Sequence, residues 1–288
     1  MKIVITGAAG QLGQALQTTA GSGRTLIAVT REDLDIADRS QVESFMEDLK
    51  PDVVINAAAY TAVDKAESER DLAFAINGAA VGHLASAAAR QGARFVHVST
   101  DFVFDGASCR PYRPADETRP LSVYGASKRA GEEACLAVDD KALIVRTAWV
   151  YAAQGKNFVR TMLRLMGEKD SLRIVADQIG APTASQSLAQ ALWGLLDAEA
   201  TGLFHHTDSG VASWYDFAVA IQEEACSLGL LDRAIPVEPI PAADYPTPAA
   251  RPGFSVLDTG ATKAALGRAA PHWRVNLRTV MKEIATHG

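Results

Sequence analysis

Cysteine is scarce in this chain. Its 288 residues hold three, Cys109, Cys135 and Cys226, an odd number with no metal-ligand spacing. Neither a disulfide framework nor a cysteine zinc site is expected, and a reducing cytoplasm is the expected compartment. Positive charge is also short, with 28 Lys and Arg against 34 Asp and Glu and a net charge of −6. That balance argues against a nucleic-acid surface, which would show a basic patch, and leaves small molecules as the expected partners. Long apolar runs are missing too: charged side chains are expected to interrupt each one before the ~20 residues that a membrane helix requires. The opening Met1-Lys2-Ile3-Val4-Ile5-Thr6-Gly7 has a lysine before apolar residues, but its apolar run is too short for a signal peptide and passes straight into glycine. No internal repeat or low-complexity tract is present.

What is there is the composition of an ordinary globular chain, 48% hydrophobic and 22% charged. The first half alternates short β-branched runs with helical stretches, the pattern of a parallel sheet covered by helices. Strands are expected at 2–6, 25–29, 53–56, 95–99 and 142–147, nearly continuous in apolar residues as strands buried on both faces should be. Helices are expected at 10–20, 40–49, 71–91 and 124–137, the third being the longest and rich in alanine. Beyond Thr147 the texture changes to helix 158–167, strand 172–175, helix 187–196, strand 202–205 and helix 214–229. The proline-rich stretch 235–252 should be irregular, and helix 276–287 closes the chain. The fold class is therefore α/β, a Rossmann-like doubly wound parallel sheet with a smaller C-terminal substrate-binding domain. The expected division is 1–150, with 185–206 returning to it, and 151–184 with 207–288.

Gly7-Ala8-Ala9-Gly10-Gln11-Leu12-Gly13 follows the first expected strand and opens a helix, so backbone N–H groups and the helix N-terminus can face a pyrophosphate. Gly7 makes the sharp turn, Gly10 lets phosphates approach the backbone, and Gly13 lets helix and strand pack closely. After the second strand, where an acidic residue would bind the 2′-hydroxyl of NAD, the chain reads Val29-Thr30-Arg31. An arginine there suits a 2′-phosphate and favours NADPH over NADH. The alternative is a solvated arginine with Glu32 or Asp33 at the ribose. Asp35 and Ile36 are expected beside the adenine. Ala57, Ala58 and Ala59 end the third strand in small side chains where a cofactor can lie against backbone, with Thr61 and Ser99 as further cofactor neighbours.

Tyr124 and Lys128 are four apart in an expected helix and so share one face. A tyrosine, with a free pKa of ~10, is a poor proton donor until a nearby cation lowers it, and Lys128 can supply that cation. The same ammonium can hold a nicotinamide ribose. The pair suits carbonyl reduction, in which a proton reaches oxygen as hydride reaches carbon. Ser99-Thr100-Asp101 ends the fourth strand, at the sheet edge where ligands gather, so Thr100 can bond the substrate carbonyl; otherwise it caps local backbone.

With Gly-x-x-Gly-x-x-Gly, a Ser/Thr and Tyr-x-x-x-Lys in place, the sequence resembles the extended short-chain dehydrogenase/reductase superfamily and, within it, the dTDP-4-dehydrorhamnose reductase family. The narrower resemblance spans nearly the whole chain and rests on 56–67, on Ser99-Thr100-Asp101-Phe102-Val103-Phe104 and on Tyr124-Gly125-Ala126-Ser127-Lys128. In the second half it rests on Arg146-Thr147-Ala148-Trp149-Val150-Tyr151, on Asp177-Gln178-Ile179-Gly180-Ala181-Pro182-Thr183 and on 245–252. It implies reduction of the 4-keto group of dTDP-6-deoxy-L-lyxo-4-hexulose with NADPH, or NADH, to dTDP-L-rhamnose, the last step of that nucleotide sugar's biosynthesis. Carried over, Thr100, Tyr124 and Lys128 are the catalytic set, while Asp101, Phe102 and Trp149 contact the sugar. Arg251 is the candidate for the diphosphate, since its fork matches phosphate oxygens. Some members are magnesium-bridged homodimers held by glutamates. Here Ala15 and Gln186 stand at two of those places and Glu283 alone remains, so neither a Mg2+ requirement nor any metal site is expected. The protein is expected to be a monomer or a homodimer with no membrane partner. The alternatives are a non-catalytic dinucleotide-binding regulatory subunit and a nucleotide-sugar 4-epimerase.

Overall fold

The computed structural model describes residues 1–287; Gly288, the last residue of the expected second domain, lies outside them. The first half runs β1 (Lys2–Thr6), α1 (Gln11–Thr19), β2 (Thr25–Val29), α2 (Arg39–Leu49), β3 (Val53–Asn56), α3 (Val63–Ala66), α4 (Arg70–Phe74), α5 (Ala80–Arg90), β4 (Arg94–Thr100), α6 (Val123–Val138) and β5 (Leu143–Thr147). The second half runs β6 (Val150–Tyr151), α7 (Phe158–Glu168), β7 (Leu172–Val175), β8 (Ile179–Gly180), β9 (Thr183–Ala184), α8 (Ser185–Asp197), β10 (Gly202–His205), β11 (Ala212–Ser213), α9 (Trp214–Ser227), β12 (Val237–Ile240), α10 (Gly260–Leu266) and α11 (Trp273–His287).

Six strands form one parallel sheet in the order β10-β5-β4-β3-β1-β2. The chain leaves β1 for β2 on one side and returns through β3 on the other, so the winding reverses between β1 and β3. A crevice opens at the carboxyl ends of strands at such a reversal, which is where Gly7 and Ala57 stand. Both faces are covered. Val4, Val54, Phe95 and Ile144 pack under α2 and α5, and Ile5, Ile55, Val96 and Val145 pack under α1 and α8. Burial on both faces is why these strands read as unbroken apolar runs. A separate core joins α7, α9 and α11 through Met162, Phe217, Ile221, Trp273, Leu277 and Met281.

Expectations for two stretches of the chain are corrected. The helix expected at 71–91 is interrupted: between α4 and α5 the backbone widens into a π turn, Ala75–Ala79. Residues 72–89 contain no Asp, Glu, Lys or Arg, so charge does not break every apolar run. By length and composition Arg70–Arg90 could cross a membrane, yet half of its apolar window is buried inside the protein. The second correction concerns 235–252. Val237–Ile240 is a strand that pairs in parallel with Leu172–Val175, Pro239 included, because a two-stranded ribbon leaves an edge on which a missing N–H goes unneeded.

Candidate active-site cleft

One cleft of about 1100 Å3 runs from the turn after β1, past the ends of β3, β4 and β5, to the segment around Arg251. It exceeds the ~300–1000 Å3 of pockets that hold a single small ligand, so there is room for two. Every expected cofactor and substrate residue except Gly13 lines it; Gly13 lies behind, buried in α1.

At the turn, Gly7 has a positive φ of 68°, and a Cβ there would stand 2.6 Å from the Ala58 backbone nitrogen. Only glycine permits both the left-handed turn and this approach of two strand ends. Gly10 precedes α1 without capping it by a side chain, so the first-turn N–H groups point toward the cleft unclaimed by any side-chain oxygen. Beneath the turn lies a buried polar row. Thr6 Oγ1 donates to Asn56 Oδ1 at 2.7 Å, Ala58 N donates to the same oxygen at 3.2 Å, and Asn56 Nδ2 meets His97 Nδ1 at 3.2 Å. The row follows the register, in which Thr6 pairs with Asn56 and Asn56 with His97.

After β2, Arg31 is exposed at the cleft wall beside Asp35 and Ile36. Asp33 is turned inward on its own loop, accepting from Thr30 N at 2.8 Å and Thr30 Oγ1 at 2.7 Å. Those bonds hold its carboxyl below the usual range, and neither Asp33 nor Glu32 lines the cleft.

Tyr124 and Lys128 lie on one face of α6, which Ser122 caps by accepting from Gly125 N at 3.2 Å. A Cβ at Gly125 would stand 2.2 Å from the Phe102 carbonyl oxygen, so glycine after the tyrosine lets α6 touch the 101–103 turn. Tyr124 thereby meets Phe102 edge-on at 5.6 Å. Burial pushes the Tyr124 hydroxyl up to about 12, against the lowering effect of a hydrogen bond with Thr100. Against that burial the Lys128 cation does not prevail. Its ammonium donates to the Val98 carbonyl at 2.7 Å, and burial pulls it down to about 8 while Glu132, one turn along, works in the other direction. Glu132 is itself clamped by Arg146 through two bonds of 2.6 and 2.8 Å, with both side chains about 5% exposed.

Thr100 caps local backbone and also faces the cleft. It accepts from Phe102 N at 3.2 Å, capping the 101–103 turn, and it stands at the cleft wall, donating to Asp101 Oδ1 at 2.9 Å. Burial raises Asp101 to about 6, opposed by the hydrogen bond from Thr100. The hydroxyls of Ser99 and Thr147 also line the cleft, buried and with no protein partner. Buried polar atoms are seldom left so, and these fit a polar ligand.

At the far end, Arg251 Nη2 bonds Asp64 Oδ2 at 2.8 Å, and its Nη1 holds the Thr247 hydroxyl and the Ala249 carbonyl. Asp64 Oδ1 also accepts from Ala249 N at 3.2 Å. Trp149 has a φ of +49°, a cost on the order of 1–3 kcal/mol for a bulky residue. It stacks on Trp214, with ring centroids 3.6 Å apart and planes 7° apart.

Sequence reasoning missed three residues here: Asn77, Thr147 as a cleft hydroxyl, and Trp214. Asn77, in the π turn, is 1% exposed; its Oδ1 accepts from Tyr60 N at 2.8 Å, and its Nδ2 donates to Tyr60 O at 2.9 Å and Ser127 Oγ at 3.0 Å. It ties the loop after β3 to the Tyr124–Lys128 helix. An asparagine within an alanine-rich apolar helix was its available signal, since a buried amide needs partners outside its own helix. Gln186, at one of the places where a glutamate was sought, donates to Glu283 Oε1 at 3.1 Å.

Comparison with known proteins agrees with this geometry. The family model described as RmlD substrate binding domain matches residues 1–286. A dTDP-4-dehydrorhamnose reductase from Burkholderia thailandensis is 43% identical, covering 99% of each chain. Among solved structures, a dTDP-4-dehydrorhamnose reductase from Clostridium acetobutylicum superposes with a TM-score of 0.93 at 41% identity over 99% of each chain. Another, from Bacillus anthracis in complex with NADP, gives 0.91 at 35% identity over 98% of this chain and 99% of that one. A full-length family match, full-length identity above 40% and the shared cleft architecture together place the chain in the dTDP-4-dehydrorhamnose reductase family.

Proposed function

We propose that this protein reduces the 4-keto group of dTDP-6-deoxy-L-lyxo-4-hexulose with NADPH, giving dTDP-L-rhamnose. The observation that carries the reading is the convergence, in one cleft, of the Gly7–Gly10 turn, Thr100, Tyr124, Lys128 and Arg251. In this reading residues 1–150 with 185–206 hold the dinucleotide, and 151–184 with 207–288 supply the sugar side.

The residues present fit a nicotinamide dinucleotide. Gly7, Gly10, Gln11 and Leu12 would take the pyrophosphate on backbone N–H groups, with Gly13 behind them keeping α1 against the turn. Arg31 is open for a 2′-phosphate, and Asp33, its rival for the ribose, is occupied by Thr30. Asp35 and Ile36 would flank the adenine, while Ala57, Ala58, Ala59, Thr61 and Ser99 would wall the remainder. When bound, the dinucleotide supplies the hydride.

The chain's own groups manage the proton. A Tyr124 hydroxyl at about 12 stays protonated at neutral pH, so it is a stocked donor for the ketone oxygen. Negative charge growing on that oxygen is what would draw the proton off, and the nearby Lys128 ammonium would stabilise the phenolate left behind. Thr100 would turn its O–H from Asp101 to the same ketone oxygen. Arg251, held by Asp64, Thr247 and Ala249, would offer its remaining N–H groups to the diphosphate, and Asp101, Phe102 and Trp149 would face the sugar.

The test is NADPH consumption with dTDP-6-deoxy-L-lyxo-4-hexulose, wild type against Tyr124→Phe. Turnover by wild type and its loss in the variant are expected. A wild type that consumes no NADPH overturns the reading.

A further inference from the structure

Trp149 and Trp214 come from different parts of the chain. Trp149 stands just past β5, at the end of the main sheet; Trp214 is the first residue of α9, in the separate core. Their rings lie 3.6 Å apart and within 7° of parallel, and both line the cleft. Neither the left-handed backbone of Trp149 nor a face-to-face sandwich with one ring directly over the other is what free residues prefer, so both are imposed by surroundings.

Those surroundings can be named. A Cβ at Gly180 would stand 2.6 Å from the Trp149 ring, so β8 offers the indole a flat backbone seat. The Trp149 carbonyl accepts from Thr183 N at 3.2 Å. Phe158 of α7 braces Trp214 at 4.7 Å, tilted by 50°. The start of α9 is itself fixed by a reciprocal cap, in which Ser213 Oγ accepts from Asp216 N at 3.0 Å and Asp216 Oδ2 accepts from Ser213 N at 2.9 Å. Trp214 therefore sits on a rigid support, with one ring face against Trp149.

We propose that Trp214 is a positioning residue for the sugar end of the cleft: it clamps the Trp149 indole so that a fixed apolar wall meets the nucleotide sugar. The identity of that sugar rests on the reductase reading, whereas the clamp itself does not. The dinucleotide end lies on other elements, so the effect of losing the clamp is selective.

Two measurements on Trp214→Ala, Trp214→Phe and Trp149→Phe test this. Steady-state kinetics should show KM for the nucleotide sugar raised about tenfold in Trp214→Ala, with KM for NADPH within about twofold of wild type. Trp214→Phe, still able to stack, should recover most of that loss. Far-ultraviolet circular dichroism should show an exciton couplet from the stacked indoles in wild type, lost in both phenylalanine variants. Equal rises in both KM values, no rise in either, or no recovery by phenylalanine would overturn the clamp. If wild type fails to turn over the ketosugar, the reductase reading falls alone. The couplet then decides: absent from wild type, or persisting in either phenylalanine variant, it overturns the clamp, and lost in both it upholds it.

Discussion

The glycine turn after β1 and the 245–258 strap wall the same cleft from opposite ends, and they are built by opposite means. The turn is local: its glycines lie within seven consecutive residues, and its long-range contact is the approach of Gly7 to Ala58 in a neighbouring strand. The strap is almost wholly long-range. Arg251 and Ala249 fasten to Asp64, 187 and 185 residues away. Gly253 O and Ser255 N bracket Ile179 at 2.8 Å each, and Val256 O accepts from Tyr112 N at 2.8 Å. Anion binding by backbone needs only a correct local conformation, whereas recognition of one particular sugar needs side chains gathered from many places. In the proposed reading, the end that would bind a common cofactor is local, and the end that would select a substrate is assembled.

The comparison can be broken at several points. The largest effect is expected between the two ends, where Tyr124→Phe should lower kcat by roughly 10²- to 10⁴-fold, the usual worth of a general acid. Equal turnover by the variant would remove Tyr124 as the donor. At the assembled end, Arg251→Ala should raise KM for the nucleotide sugar by about 10- to 100-fold and leave KM for NADPH alone, because a charge-assisted fork is worth about 1.5–3 kcal/mol. A matching rise for NADPH would show that the strap serves the whole cleft. At the local end, Arg31→Ala should reduce the preference for NADPH over NADH by about tenfold, and an unchanged ratio would mean that this arginine does not read the 2′-phosphate.

Smaller effects follow from the buried groups in between. With Lys128 pulled down to about 8, the protonated ammonium present at neutral pH is lost as pH rises through that value, while Tyr124 at about 12 keeps its proton. Activity should decline with a single basic limb near 8, and a kcat/KM profile flat to about pH 10 would deny Lys128 its role as a cation. Asp101 has the smallest expected effect. Its folded value of about 6 lies above its unfolded one, so the folded state holds the extra proton between the two, and the stability this contributes is present at low pH and lost as pH rises through about 6. Asp101→Asn should therefore melt a few degrees above wild type at about pH 8, with the gap closing below about pH 4. A gap that does not change with pH would refute the assignment.

Most of the sheet and its helices were legible, because strands buried on both faces and helices with one apolar face leave periodic traces. Lys2–Thr6, Thr25–Val29, Val53–Asn56, Leu172–Val175 and Gly202–His205 fall where the apolar runs placed them. The π turn was not legible. Alanines at 73, 75, 79 and 80 favour a regular helix, and the turn widens where Asn77 reaches out to Tyr60 and Ser127. The strand at Val237–Ile240 was hidden by Pro239, which reads as a breaker until an edge position makes its missing N–H harmless.

By itself the sequence determined the fold class, the glycine turn that opens the first helix and the family to which the chain belongs, since each depends on residues close together or on motifs shared along its length. Only the tertiary structure decided how the charges in the site are set. Lys128 is a plausible acidifier of Tyr124 by helical spacing alone, yet the ammonium turns to Val98 O, and burial moves the two pKa values toward about 8 and about 12. Likewise, the pairing of Trp149 with Trp214 and of Arg251 with Asp64 joins residues far apart in the chain. The physical reason is the same in each case: desolvation and stacking depend on what surrounds a group in space, and periodicity along the chain carries no record of those neighbours.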